Sequence, residues 1–322
     1  MNDISLTAES ASKARVTLEM IIGNIERVII GKREVVELCV AAMVSGGHVL
    51  IEDVPGVGKT SLAAAMAKTV SCGFKRIQFT PDIMPSDVTG FSIFNQKSGE
   101  FEFRPGSVMS NFVLADEINR ASAKTQASLL EAMGEQQVTV DSKTYLLDEP
   151  FMVLATQNPI DSFGTYPLPE AQIDRFMMKL SIGYPSPEEE VRVAMYAKRA
   201  RSELASVVVG SDIIQMKKMS ELVHISEAAA RYIVDIVTGT RSHPDVALGC
   251  SPRGTIALFA ACRAWALYKG RDYVLPDDVK YLAPHILAHR LIMSHEARVA
   301  GRSGKDVIEA VLRGLIVPLG QK

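Results

Sequence analysis

The densest chemistry in this chain lies in Glu52-Asp53-Val54-Pro55-Gly56-Val57-Gly58-Lys59-Thr60-Ser61. Glycines at 56 and 58 let backbone N–H groups close round an anion, and a helix opening at Lys59 adds the partial positive charge of its N-terminus. Lys59 has the length to reach β- and γ-phosphates, and the Thr60 hydroxyl is a Mg²⁺ ligand type. Pro55, Gly56, Val57, Gly58, Lys59, Thr60 and Ser61 are therefore expected to cradle a nucleoside triphosphate. The loop departs from the G-x-x-x-x-G-K-[ST] pattern at its first position, where Asp53 stands in place of Gly. That departure bears on loop detail, not on binding. An ordinary strand–helix turn is the bland alternative. The apolar run His48-Val49-Leu50-Ile51 before the loop and Leu62-Ala63-Ala64-Ala65-Met66 after it argue against that alternative.

Asp116-Glu117 closes another apolar run, Phe112-Val113-Leu114-Ala115. In a parallel sheet the C-terminal strand ends face the ligand. Asp116 there would hold Mg²⁺, usually through water, and Glu117 would orient or deprotonate an attacking water. A solvated acidic helix start is the competing reading, and the pairing with the phosphate loop outweighs it. Asn158 follows Phe151 to Thr156 and precedes Pro159. A turn-forming Asn before Pro is common. Beside the other two motifs, its amide is expected to meet the γ-phosphate and the lytic water. Arg175 and Arg253 carry the planar, always-charged fork that suits a transferring phosphoryl group, although an isolated Arg is usually a surface residue. His285 and His289 share a helix face, but no carboxylate or Cys set supports metal ligation. Trp265 and Tyr268, one turn apart, read as core.

These groups need elements to place them. Residues 8–27 show helical periodicity with Ala14, Leu18, Ile21 and Ile25 on one face, and a second helix at 33–45 stops at Gly46-Gly47. Buried strands are expected at 48–52, 74–79, 111–116, 151–156 and 177–182. Hairpins are expected at 88–108, turning at Lys97-Ser98-Gly99, and at 137–147, turning at Asp141-Ser142. Gly183-Tyr184-Pro185-Ser186-Pro187 is the strongest linker signal. After it only helical periodicity remains. The expectation is an α/β domain over 1–183, with a mostly parallel sheet, and an all-α domain over 184–322.

Bulk composition narrows the function classes. The 322 residues carry a net charge of −2, so no basic footprint for nucleic acid is advertised. Cys39, Cys72, Cys250 and Cys262 are scattered and read as reduced thiols. No apolar run approaches the roughly 18 residues that span a membrane. The start Met1-Asn2-Asp3-Ile4-Ser5 lacks a signal-peptide pattern, so the expected location is the cytoplasm.

The ordered motifs together resemble an AAA+ ATPase, and more narrowly the MoxR family. The marker segments are Ile51 to Thr60, Arg76-Ile77-Gln78-Phe79-Thr80-Pro81-Asp82, Phe103-Arg104-Pro105-Gly106 and Ala115-Asp116-Glu117-Ile118-Asn119-Arg120-Ala121. They continue with Ala155 to Pro159, Leu168 to Phe176 and Ser251-Pro252-Arg253. The resemblance implies an αβα P-loop NTPase core with a five-stranded sheet, two β-hairpin inserts and a helical lid. It implies ATP and Mg²⁺ at the subunit interfaces of a ring, typically a hexamer. Lys59 and Thr60 take Walker A roles, Asp116 and Glu117 Walker B roles, and Asn158 the sensor 1 role. Arg253 matches sensor 2, reaching its own subunit's phosphates, and Arg175 matches an arginine finger offered to the neighbour. Ile30 and Gly31 fall where adenine is usually held.

Proteins of this family look like chaperones that remodel or mature other protein complexes, often with a partner carrying a von Willebrand factor A domain. The expected activity is therefore ATP hydrolysis coupled to rearrangement of a protein client. Three alternatives remain at this level. One is a chelatase-type motor subunit driving metal insertion, the second a DNA-directed AAA+ motor, and the third a nucleotide switch with little turnover.

Overall fold

Five short apolar runs lie side by side in a computed structural model that describes residues 6–158 and 166–318. Pro159 and the Met1–Ser5 start fall outside the described residues. The strands are β1 (Val49–Glu52), β2 (Phe74–Gln78), β3 (Phe112–Asp116), β4 (Met152–Gln157) and β5 (Met178–Leu180). All pair in parallel, in the order β2-β3-β4-β1-β5. Both faces of β3 are covered, so all five of its residues are buried. Strand β2 lies at an edge and buries only Ile77 of its five residues. The chain runs from β1 out to β2 and returns through β3 and β4. It then crosses β1 to reach β5. The reversal of order beside β1 opens a crevice at the C-terminal strand ends, where ligands bind in such sheets.

The two inserts form as expected. Gly90–Asn95 pairs antiparallel with Glu100–Pro105. Gln137–Val140 pairs with Lys143–Leu146 through Asp141 and Ser142, both at positive φ, as a tight two-residue hairpin turn requires. The first hairpin starts two residues later than its alternation suggests. Pro85 pre-sets φ for a helical turn over Pro85–Thr89, which takes up Val88 and Thr89. Phe103 stacks on Tyr145 at 3.9 Å and joins the two inserts.

The C-terminal part holds helices Pro187–Glu203, Gly210–Glu221, Glu227–Arg241, Pro252–Tyr268, Pro276–Leu287 and Gly304–Gly314. It also contains a small antiparallel pair, Val246–Leu248 with Ile292–Met293. Runs of two or three residues leave no period to read, so purely helical periodicity overlooked them. The N-terminal helices Ala8–Glu26 and Arg33–Val44 pack on Pro252–Tyr268. One apolar cluster, including Leu18, Ile22, Leu258 and Trp265, runs between them. Trp265 stacks on Tyr281 at 4.8 Å and is core, as read from sequence.

Candidate nucleotide site

The loop between β1 and the helix Lys59–Thr69 is shaped by two glycines. Gly56 has φ +89° and Gly58 φ +101°, a region side-chain-bearing residues rarely adopt. A Cβ added at either would meet no atom within 4 Å. The requirement is therefore backbone conformation, with open space above the loop. Helix Lys59–Thr69 begins directly after Gly58, so its unpaired N–H groups face that space.

A cleft of about 330 Å³ lies above the loop, lined by Pro55, Gly56, Gly58, Lys59, Thr60, Ser61, Arg76, Gln78, Asp116, Glu117 and Asn158. The cleft thus collects the phosphate loop, the acidic pair and the amide that the sequence placed on three different strands. Lys59 Nζ is held by the carbonyl oxygens of Asp53 (2.6 Å) and Val54 (3.2 Å). Its pKa is lowered by burial, against the pull of Asp116, Asp53 and Glu117.

Asp116 and Glu117 are organised through Thr156. The Thr156 hydroxyl donates to Asp116 Oδ1 at 2.6 Å, and Glu117 N–H donates to Thr156 Oγ1 at 2.8 Å. Arg76 grips the other Asp116 oxygen, from Nη2 at 2.6 Å and Nε at 3.1 Å. Both carboxylate oxygens thus accept hydrogen bonds from neighbouring side chains. The hard-oxygen donor set of Thr60 and Asp116 fits Mg²⁺. Among the described residues no cluster of three or more His, Cys, Asp or Glu forms another metal site.

Glu117 adopts φ +57°, ψ +49°, a conformation non-glycine residues seldom take. Such outliers persist where the surroundings enforce them. Gln78 Nε2 donates to Glu117 Oε2 at 3.0 Å, and Arg120 Nη1 donates to the same oxygen at 3.1 Å. The carboxylate is thereby aimed at the cleft from two sides.

Arg76, Gln78, Arg120 and Thr156 were given no role by sequence reasoning. A signal for the first two existed. Arg76 and Gln78 alternate round buried Ile77 on the strand that pairs with β3, and Gln78 sits in register with Asp116. Polar residues at the end of an apolar strand, beside the acidic pair, mark the ligand side.

Several expected residues are not among those that line this cleft. Val57 packs against the core. Ile30 is buried, and Gly31, at φ +75°, faces the Glu189 carboxylate at the start of helix Pro187–Glu203. Arg175 Nη1 donates to Leu130 O at 2.7 Å, in the second half of helix Ala123–Glu135. Arg253, expected to reach its own subunit's phosphates, does not line the Lys59 cleft in this structure. Its Nη1 instead donates to Asp174 Oδ2 at 3.2 Å, placing it beside the Arg175 segment. The physical reason is the lid's seat. The helix carrying Arg253 packs on the N-terminal helices, and Asp174 supplies the counter-charge.

The Asp53 side chain closes the base of the loop. Its Oδ2 accepts from Ile182 N and Gly183 N, both at 2.7 Å, and from Ser181 Oγ at 3.0 Å, while Oδ1 accepts from Val54 N at 2.8 Å. A glycine there would leave those N–H groups without this acceptor.

Comparison with known proteins agrees with the geometry. The family profile described as ATPase family associated with various cellular activities (AAA) matches residues 48–178. The AAA lid domain profile matches residues 238–311. The chain is 51% identical to the uncharacterized protein YeaC of Bacillus subtilis, over 92% of this chain and 93% of that protein. It is 41% identical to chaperone MoxR1 of Mycobacterium tuberculosis, over 94% of this chain and 82% of the relative. A crystal structure of a protein assigned as an ATPase, from Cytophaga hutchinsonii, superposes with a TM-score of 0.90. It is 41% identical and covers 97% of this chain and 98% of its own.

Proposed function

The chain belongs to the MoxR family of AAA+ ATPases, and on that premise we propose that it hydrolyses ATP at the interfaces of a ring to remodel a protein client. One observation carries this reading. Lys59, Thr60, Asp116, Glu117 and Asn158 line one cleft, whereas Arg175 and Arg253 lie together outside it. The arginine that lines the single subunit's cleft, Arg76, is engaged by Asp116, and neither of the two forks that the resemblance assigns to the transferring phosphoryl group comes from the same cleft. A second copy, offering Arg175 and Arg253, completes the site.

In this mechanism the loop amides and Lys59 bind the β- and γ-phosphates. Glu117, aimed by Gln78 and Arg120, takes the proton of the attacking water, and the Asn158 amide orients that water. Thr60 and Asp116 would hold Mg²⁺, which would supply positive charge to the phosphate oxygens. Arg175 of the neighbour stabilises the charge that develops on transfer, an effect worth roughly 10³–10⁵ in rate for such arginines. The net charge of −2 gives no basic footprint for nucleic acid, which favours a protein complex as the client. The adaptor is a protein with a von Willebrand factor A domain. No helix among the described residues is long and apolar enough to cross a membrane.

Steady-state ATPase activity against protein concentration, with and without DNA, tests this reading. Activity is expected to rise cooperatively with ring formation and to ignore DNA. It should collapse in Arg175→Ala while nucleotide binding persists. Full activity of a monomer, or of Arg175→Ala, would overturn the interface assignment.

A further inference from the structure

Arg290 is a charged residue with a side chain only 2% exposed, set where the lid meets the core. Its guanidinium reaches five oxygen acceptors, as many as it has N–H groups, and Nη1 also lies 3.0 Å from His289 Nε2. Nε donates to Asp174 Oδ1 at 2.8 Å, and Nη2 to Asp174 O at 3.1 Å and Phe176 O at 2.8 Å. Nη1 donates to Met177 O at 3.1 Å and to Ile286 O. Four of the five acceptors lie on residues 174–177, the segment that carries Arg175. Asp174 spends its second oxygen on the lid, accepting from Arg253 Nη1 at 3.2 Å and Ser251 Oγ at 3.0 Å.

A buried charge is costly, and an ion pair in the interior is often no better for stability than apolar packing of the same volume. A joint needed only for strength has no call for a guanidinium. What the fork adds is direction. Planar geometry with all five donors used fixes both the segment and the carboxylate between the two lid arginines. Gly254, next to Arg253, keeps the approach close: a Cβ there would lie 3.2 Å from Arg290 Cδ.

We infer that Arg290 is a positioning residue for hydrolysis in the neighbouring subunit, holding Arg175 and Arg253 through Asp174 as one rigid pair. The inference rests on the interface reading proposed above. Loss of Arg290 misplaces both arginines and leaves the variant's own Lys59 cleft intact.

Mixed rings test this. Arg290→Lys and Asp174→Asn subunits are each assayed alone and mixed with Glu117→Gln subunits, which have a dead cleft and intact arginines. Nucleotide affinity of each variant should hold, and its activity alone should fall roughly tenfold or more. The mixture should exceed both parents, because the Glu117→Gln subunit serves the variant's intact cleft. Arg175→Ala mixed with Glu117→Gln is the control. If the control regains activity and the Arg290→Lys and Asp174→Asn mixtures do not, Arg290 is a structural rivet and the inference fails alone. If the control regains none, the interface reading itself has failed. Should Arg290→Lys not fold, the Asp174→Asn mixture decides. Full activity of the variants by themselves also overturns the inference.

Discussion

Asp53 Oδ2 accepts a hydrogen bond from Gly183 N at 2.7 Å, tying the first residue of the phosphate loop to the hinge that leads into the lid. The same oxygen takes Ile182 N at 2.7 Å. A carboxylate therefore stands where the loop pattern has glycine because it has a second task, fixing the end of β5 against β1. Asp53→Ala strands the buried Ile182 N–H and should cost about 2–3 kcal/mol, read as a lower urea midpoint. Burial pushes the Asp53 pKa up, but the bonds from Gly183, Ser181, Val54 and Ile182 outweigh it and hold the pKa below the usual 3.8. Its contribution is thus complete above the ordinary Asp range and disappears as pH falls through the depressed value. An Asp53→Ala curve that merges with wild type only under strongly acid conditions would bear this out.

Glu117 depends on two neighbours for its aim. Glu117→Gln should lower kcat by about 10²–10⁴ while ATP binding persists, since a positioned base contributes that much. Gln78→Ala removes one of the two bonds to Glu117 Oε2 and leaves the phosphate loop alone. A kcat loss of roughly tenfold with KM changed little is expected for a base that is present but less well aimed. A raised KM with kcat intact would assign Gln78 to substrate binding instead.

Gly134 makes room for Arg175. A Cβ at Gly134 would collide with Arg175 Nη1, the tip of a flexible side chain that can be pushed aside. Gly134→Ala should therefore keep or raise stability, by up to about 1 kcal/mol from helix propensity. It should also lower ring ATPase by moving the arginine. Thermal unfolding and turnover, measured on the same preparation, are expected to move in opposite directions. A variant with wild-type turnover would show that this seat of Arg175 is not the working one.

His48 carries a pH dependence in the pH range just below neutral. It is buried ahead of β1, and its Nδ1 accepts from Val153 N at 3.0 Å while Nε2 lies 3.2 Å from Met133 O. That pattern fits a neutral ring donating from Nε2. Burial lowers its pKa from 6.5 to about 4, against a small opposing effect of the Met133 carbonyl. The unfolded chain therefore binds the proton first as pH falls. Stability should drop between pH 6.5 and 4, by about 3 kcal/mol from this group. Urea unfolding of His48→Gln at pH 7 and pH 4.5 should show a smaller fall between the two than wild type does.

The phosphate loop, the acidic pair and the five strands could be read from residues 48–183 because each rests on local rules. Glycines at positive φ, apolar runs closed by acid and a helix opening on Lys-Thr all show within ten residues. The hairpins were legible for the same reason, through alternation and turn residues. The roles of Arg76, Gln78 and Thr156 depend on register between strands some 40 residues apart, so only the alternation at 76–78 hinted at them, and Arg120 meets Glu117 three residues away only because a short helical turn follows the acid. The exchange of Gly for Asp at position 53 had no local meaning either, since its partners at 181–183 lie 128 to 130 residues further along the chain. Arg253 illustrates the limit most sharply. Its motif could be read, but whose nucleotide it serves depends on where the lid seats. That seat is decided by apolar burial against the N-terminal helices and by the Arg290–Asp174 joint. Chain-local chemistry fixed what these groups are, and long-range packing fixed what they face, because burial and charge pairing act between residues that only the folded chain brings together.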